Sequence, residues 1–538
     1  MRRHGRATHG QHGQLTRRDF LQRAGLLGVG LATVPVLGSH LEVMAAPAPA
    51  RPTRGGTLRY GMNTPVVSLD PHRFTGAAAD NLNGMTYSRL VQMKPDWTGV
   101  EPDLAQQWEL SSDGKAYTFQ LRPSIRFHDG STVAADDVAF SFQRIMDPNT
   151  GAYLRPLIAD LLEQVTAPTA SSVRFVLSKP YAAFLSALAL PTAAILSRRW
   201  VTGGGNLATT QMGTGPMKFV SIEPNVRITL ARHEQYYEQG VPYLDGMTLL
   251  SLPDDTARST ALRTGSVEFI DFVPYREVDT IKSDPRLRLH GDALSSGLWA
   301  FANVTKPPLD KKLVRQAINW AMNREAILKA AFFGHGALMS NIFMPETSWA
   351  FDPNLPKYTY DPDKAKDLLR RAEVGAPLRV EILSASNVLF WRSGSQVFQA
   401  NLQDVGFEAQ LVTPEFAEAV KRFNASDYQI TMWGGGPLYA DPDFLYAYFH
   451  SKGTVGRTTG YSNKRLETIL EQSRSLADQA RRKSLYQQVY RILLEDAPWF
   501  PMTYRLQAEA ASVSVQGYNR VLGSNWNGVR IAKTWLAR

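Results

Sequence analysis

The sequence predicts an α/β protein of more than one domain, and three observations carry that expectation. The chain has 538 residues, beyond the size at which one core keeps growing, so two or three domains are expected. Its composition, 44% apolar and 20% charged, supports sizeable cores and excludes a disordered polymer. In the C-terminal half, strand-like runs such as Val380–Leu383 and Glu408–Val412 alternate with amphipathic helical periods, the pattern of α/β lobes.

The N-terminus reads as a cleaved export signal. Thr16-Arg17-Arg18-Asp19-Phe20-Leu21 precedes an apolar run from Ala24 to Gly38, and small-residue cleavage options follow at Val43-Met44-Ala45 and Ala48-Pro49-Ala50. That run is shorter than the roughly 20 residues a membrane span needs. The paired arginines before Phe-Leu resemble a twin-arginine signal over residues 1–45, which exports proteins already folded. An ordinary Sec signal is the alternative. Residues 46–56, rich in Pro, Ala, Arg and Gly, form a flexible leader.

Charge and cysteine content narrow the partners. The formal charge is +10; the first 45 residues contribute +4 and leave +6, spread without Lys/Arg blocks, so no nucleic-acid partner is expected. The chain contains no cysteine, which excludes disulfides, a Cys-based zinc site and a lipidated N-terminal Cys. A periplasmic protein that is not a lipoprotein is expected.

Local signals place the elements. Trp108 to Leu121 predicts a hairpin turning at Ser111-Ser112-Asp113-Gly114, with Tyr117, Phe119 and Leu121 on the buried face. Asp129-Gly130 marks a second tight turn. Asp310 is expected to cap a helix carrying Leu313, Val314, Ala317, Ile318 and Ala321, and Asp361-Pro362 to start another that stops by Gly375. Further helices are expected over Gln396–Val405, Lys464–Leu476 and Arg481–Glu495.

Catalytic constellations are absent from the sequence. There is no Gly-x-Ser-x-Gly elbow and no His-Glu-x-x-His, and none of the ten histidines forms an i,i+4 pair. Asp136-Asp137 and Asp254-Asp255 read as caps or solvated turns. Gly213-Thr214-Gly215 with Lys218 lacks the spacing and the following Ser/Thr of a phosphate loop. No enzyme activity, metal site or cofactor is expected; an exported hydrolase is the remote alternative.

Several blocks, in order, resemble the bacterial solute-binding family that serves oligopeptide, dipeptide, nickel, opine and some oligosaccharide importers. They are Leu69-Asp70-Pro71-His72, the stretch LAQQWELSSDGKAYTFQLRPSIRFHDGSTVAADDVAFSF from Leu104 to Phe142, Gly213-Thr214-Gly215-Pro216, Arg263–Glu268, Pro307-Pro308 with Val314–Ala317, Tyr461-Ser462-Asn463 and Pro498–Tyr504. The resemblance implies a periplasmic-binding-protein type II-like fold of three domains. Lobe I would be discontinuous (57–87, 203–295 and 512–538), the small domain II would span 88–202, and lobe III 296–511. It further implies a monomer that closes over a small solute, peptide-like or an opine, oligosaccharide or glycoside, and delivers it to ABC permease subunits in the inner membrane.

The resemblance also marks candidate ligand-binding residues. Family peptide receptors hold the ligand's α-amine with an Asp three residues after a Trp; here Trp433 is followed at that spacing by Gly436. Asp441 comes later, at the family's Asp-Pro turn, with Tyr439 just before it. Trp299, Trp391, Phe416 and Tyr153 fall at or near positions that line the cleft, Arg392 can neutralise a carboxylate or phosphate, and Phe74 and Thr75 lie where receptors pair backbone with ligand. Core packing is the alternative for each ring, and a solvated helix start for Arg392. Without the amine anchor, simple di- and tripeptides are expected to bind weakly, and neutral or acidic ligands with ring surfaces to be preferred.

Overall fold

A computed structural model describes residues 51–73, 76–339, 341, 342, 344, 346, 348–436, 441–521 and 531–537. The export signal and the cleavage options lie outside the described residues. Two long antiparallel strands, Leu287–Ala302 and Trp499–Ser512, run side by side through the middle of an eleven-stranded mixed sheet. On one flank the sheet continues through Phe269–Ile270, Thr57–Met62 and Gly246–Ser251 to a hairpin edge. On the other it continues through Ile430–Gly435, Leu378–Leu383 and Phe407–Val412.

The second flank is parallel where helices intervene, as a crossover connection requires. Leu378–Leu383 pairs in parallel with Phe407–Val412, and the helix Leu389–Asp404 joins them. Val380, Ile382 and Leu383 are buried, so this strand faces packing on both sides. The helix starts two turns before the expected Gln396. Gly394 and Ser395 lower its propensity, but Gly394 packs where a Cβ would come 2.7 Å from Leu298, so the close approach selects glycine inside a helix.

A separate four-stranded antiparallel sheet contains the expected hairpin, Ala105–Leu110 with Ala116–Leu121. Its turn closes with Gly114 at φ 70° and Ser111 Oγ donating to Asp113 at 2.5 Å. Tyr117, Phe119 and Leu121 are buried in one core with Val138, Phe142 and Phe175. A second core surrounds Leu298–Ala302 and the C-terminal helices, and a third lies under Thr57–Met62 and Gly246–Ser251.

The helix expected from Asp310 begins at Lys312 without a side-chain cap. The buried Arg315 takes over that end by donating to the carbonyls of Leu309 (2.8 Å) and Asp310 (3.1 Å), which fixes the preceding turn from inside. Asp361 does cap Pro362–Arg371, accepting from the Lys364 N–H at 2.9 Å.

Two family-like blocks hold the parts together. Asp70 receives both Nη groups of Arg144, at 2.5 and 3.1 Å, and Arg144 also donates to His72 Nδ1 at 2.9 Å. Because Nδ1 accepts, Nε2 carries the proton and donates to the Ala194 carbonyl at 2.9 Å. Burial, aided by Arg144, pulls the His72 pKa down to about 4 and keeps the ring neutral. Gly213 and Gly215 press on the backbone at Met85–Thr86, where an added Cβ would lie 2.1 and 2.5 Å from carbonyl oxygens. They are a close backbone contact rather than a phosphate loop. Among the described residues, no helix is long and apolar enough to cross a membrane.

Candidate functional site

A cavity of about 560 Å³ opens where the two flanks of the sheet meet, within the range of small-ligand sites. One wall comes from the ends of Thr57–Met62 and Phe269–Ile270: Asn63, Asp271 and Phe272. The opposite wall is the helix start Leu389-Phe390 with Phe333. The strand Trp499–Ser512 forms the floor, because Arg505, Gln507 and Glu509 recur every second residue and so project to one face.

The floor is polar and ordered by charge. Arg505 donates from Nε to Ser296 Oγ (2.8 Å) and from one Nη to Tyr275 Oη (2.9 Å), and its guanidinium lies 5.1 Å over the Phe390 ring. It makes no ion pair among the described residues. Glu509 is buried and accepts from Tyr518 Oη at 2.5 Å, with Arg520 at 3.6 Å.

Asp271 stands beside Glu509, because Ile270 pairs with Ala510 in the antiparallel register. Its Oδ1 accepts from the Asn63 N–H at 2.8 Å, and its Oδ2 is buried with no hydrogen-bond partner among the described residues. Burial, opposed by that hydrogen bond, lifts its pKa to about 7.

Of the residues singled out from sequence, none that the structure describes lines this cavity. Trp391 is buried and packs on Phe416 (5.5 Å) and Trp433 (5.8 Å), so these three come together on the far side of the helix start that lines the cavity. Gly434 makes room for them: a Cβ there would sit 2.8 Å from Trp391 Nε1. Trp299 is 2% exposed and packs against Tyr448 and Trp499 in the core. Tyr153 is 37% exposed, and its N–H donates to the His72 carbonyl. Arg392 is exposed, and Gly436, half-buried, follows the strand Ile430–Gly435. Phe74, Thr75 and Tyr439 lie outside the described residues. Asp441 is held bidentately by Arg482, at 2.7 and 2.5 Å, away from the cavity lining.

Asp271, Arg505, Gln507 and Glu509 escaped the sequence reading. A signal existed, in that Arg505-Leu-Gln-Ala-Glu509 alternates polar and apolar residues in a run otherwise apolar enough for a buried strand.

The chain belongs to the bacterial extracellular solute-binding proteins, family 5, whose model matches residues 99–456. It is 30% identical over 82% of its length to the heme-binding protein A of Haemophilus influenzae, covering 86% of that protein. It is 29% identical over 93% of its length to the dipeptide-binding protein of Escherichia coli, covering 97% of it. Among solved structures it resembles the PBP AgaA of A. tumefaciens R10 in complex with agropinic acid (TM-score 0.80, 28% identity, 90% of this chain and 99% of that one). It matches the ABC transporter-associated periplasmic binding protein DppA of Helicobacter pylori, bound to the peptide STSA, equally well (TM-score 0.80, 27% identity, 90% and 99% covered). The α/β fold is thus that of type II periplasmic binding proteins, and these relatives are binding proteins by name.

Proposed function

We propose that the chain is the periplasmic substrate-binding component of an ABC importer, capturing a peptide-like or other small solute by hinge closure and delivering it to the permease. The observation that carries this reading is the cavity walled from both flanks of one sheet and floored by the strand Trp499–Ser512. Strands shared by two lobes suit a hinge, since a small change there swings one wall against the other. The register of Leu287–Ala302 against its partner is already irregular between Asp292 and Ser296. The lobes proposed to move are 57–87 with 203–295 and 512–538, and 296–511; residues 88–202 form the third domain.

Arg505 favours a solute with an acidic group, since its guanidinium faces the cavity without an ion pair among the described residues. An opine is the second reading, and the same arginine supports it. The chain acts as a monomer, reaches the periplasm by the twin-arginine route through Arg17-Arg18, and is cleaved there. Calorimetry against peptides, opines and oligosaccharides tests the reading. Stoichiometric binding of an acidic member without turnover is expected, and hydrolysis of any member would overturn it.

A further inference from the structure

We infer that Asp271, with Asn63, is the counter-charge for a positively charged nitrogen on the solute, so that the cargo is a zwitterion held cation-first by the wall opposite Phe390. This rests on reading the cavity as the solute site. Asp271 is 8% exposed and lines the cavity, yet its Oδ2 meets no donor among the described residues. Asn63 Oδ1, on the same wall, is likewise buried and unpartnered. Two buried acceptor oxygens without a donor, on residues of one wall of a ligand-sized space, call for a group rich in N–H. An ammonium supplies three donors and the charge that a buried carboxylate needs.

The surrounding charges are committed elsewhere and leave that role open. Arg258, whose charge acts on Asp271, is spent on Asp255 (2.5 Å) and on the carbonyls of Phe272 (2.9 Å) and Leu252 (2.8 Å). Glu509 faces Tyr518 and Arg520 but adds negative potential beside Asp271. Tyr60, on the neighbouring strand, accepts from Asn81 Nδ2 at 3.1 Å. Of the other cations on the cavity, Arg276 donates to Thr256 Oγ1 (2.9 Å) and pairs with Glu277 (3.9 Å), and Arg505 lies at the other end of the floor. Four residues along a strand separate it from Glu509, on the order of 13 Å of rise. Charges that far apart belong to a molecule of di- or tripeptide length rather than to a single amino acid. The amine anchor, lost where Gly436 follows Trp433, is thereby supplied from the opposite wall.

Below about pH 7 a proton on Asp271 replaces the missing donor in the empty protein, and an ammonium displaces it into solvent. Binding therefore releases a proton, and affinity falls as pH drops below about 7, approaching tenfold per unit. The test is calorimetry on the full mature protein with matched probes: Ala-Phe and Ala-Ala-Phe against their N-acetylated forms, in two buffers of different ionisation enthalpy. The free amines should bind, the acetylated forms roughly a hundredfold or more weaker, and the apparent enthalpies should differ between buffers. Asp271→Asn, nearly isosteric, should erase both the preference and the proton release while keeping the melting transition. Acetylated probes that bind as well as the amines would overturn the inference and leave the receptor reading standing. So would amine binding without proton release in the wild type at about pH 6, below the Asp271 pKa, a readout that needs no variant, or failure of every amine probe to bind while another solute does. Failure of every solute class would count against the receptor reading itself.

Discussion

Asp441→Asn should destabilise the protein without touching its ligand affinity. Asp441 is the acid nearest in sequence to Gly436, where the family resemblance puts the amine anchor, but the structure gives it a different duty. Arg482 grips both its oxygens, and the two side chains are only 5% and 12% exposed. Arg482 also donates to the Ser473 carbonyl at 2.9 Å and to Tyr486 Oη at 3.2 Å, and stacks over Trp349 at 5.1 Å. Neutralising Asp441 leaves a guanidinium buried among rings, a loss of about 3–5 kcal/mol when a buried pair is broken from one side. Its remaining hydrogen bonds place the loss toward the lower figure. A body spanning Arg51–Arg538 that melts as one unit has an unfolding entropy of about 1 kcal/mol/K, so the melting temperature should fall by about 3–5 °C. Replacing both partners, Asp441→Leu with Arg482→Met, should recover most of that loss because no charge is then stranded. Differential scanning calorimetry with ligand titrations on the same samples reads both quantities. A melting temperature within about 1 °C of wild type, or a tenfold affinity loss at unchanged stability, would refute this role and return Asp441 to the site.

Further perturbations address separate parts of the account. Arg505→Met should weaken carboxylate-bearing solutes about 10- to 100-fold and leave C-terminally amidated ones nearly unchanged, as read by calorimetry; equal losses for both would remove Arg505 from the acidic end. Gly434→Ala puts a methyl 2.8 Å from Trp391 Nε1 and 3.2 Å from Phe390, and overpacking of about 1–3 kcal/mol should lower the melting temperature measurably. An unchanged transition would mean the ring cluster yields. Replacing Arg17 and Arg18 by Lys should leave precursor in the cytoplasm on fractionation, whereas normal periplasmic accumulation would point to the Sec route.

What was legible in the sequence was whatever rests on local periodicity and turn chemistry. The hairpin at Ser111–Gly114 and the Asp361 cap are written in a few consecutive residues, and both stand as read. The cap expected at Asp310 failed because a residue five positions on, Arg315, controls that turn through tertiary contacts. Aromatic residues were legible as large apolar surface, but their direction was not. Trp391 and Phe390 are neighbours on one helix, yet Phe390 lines the cavity while Trp391 packs against Trp433. The acidic wall was least legible, since Asp271 acquires its meaning from Asn63, Glu509 and Arg258, which are scattered across the sequence and meet only through the sheet register.

Closure of this chain over a solute is proposed at the cavity floored by Arg505, Gln507 and Glu509. Small-angle scattering on the mature protein, empty and saturated with the tightest member of the calorimetric panel, tests it most directly. The account predicts a smaller radius of gyration at one solute per chain, with the solute recovered unchanged and the contraction lost in Arg505→Met at the same solute concentration. A saturating solute that leaves the radius of gyration where it was, or contracts the Arg505→Met protein as readily as the wild type, would contradict it.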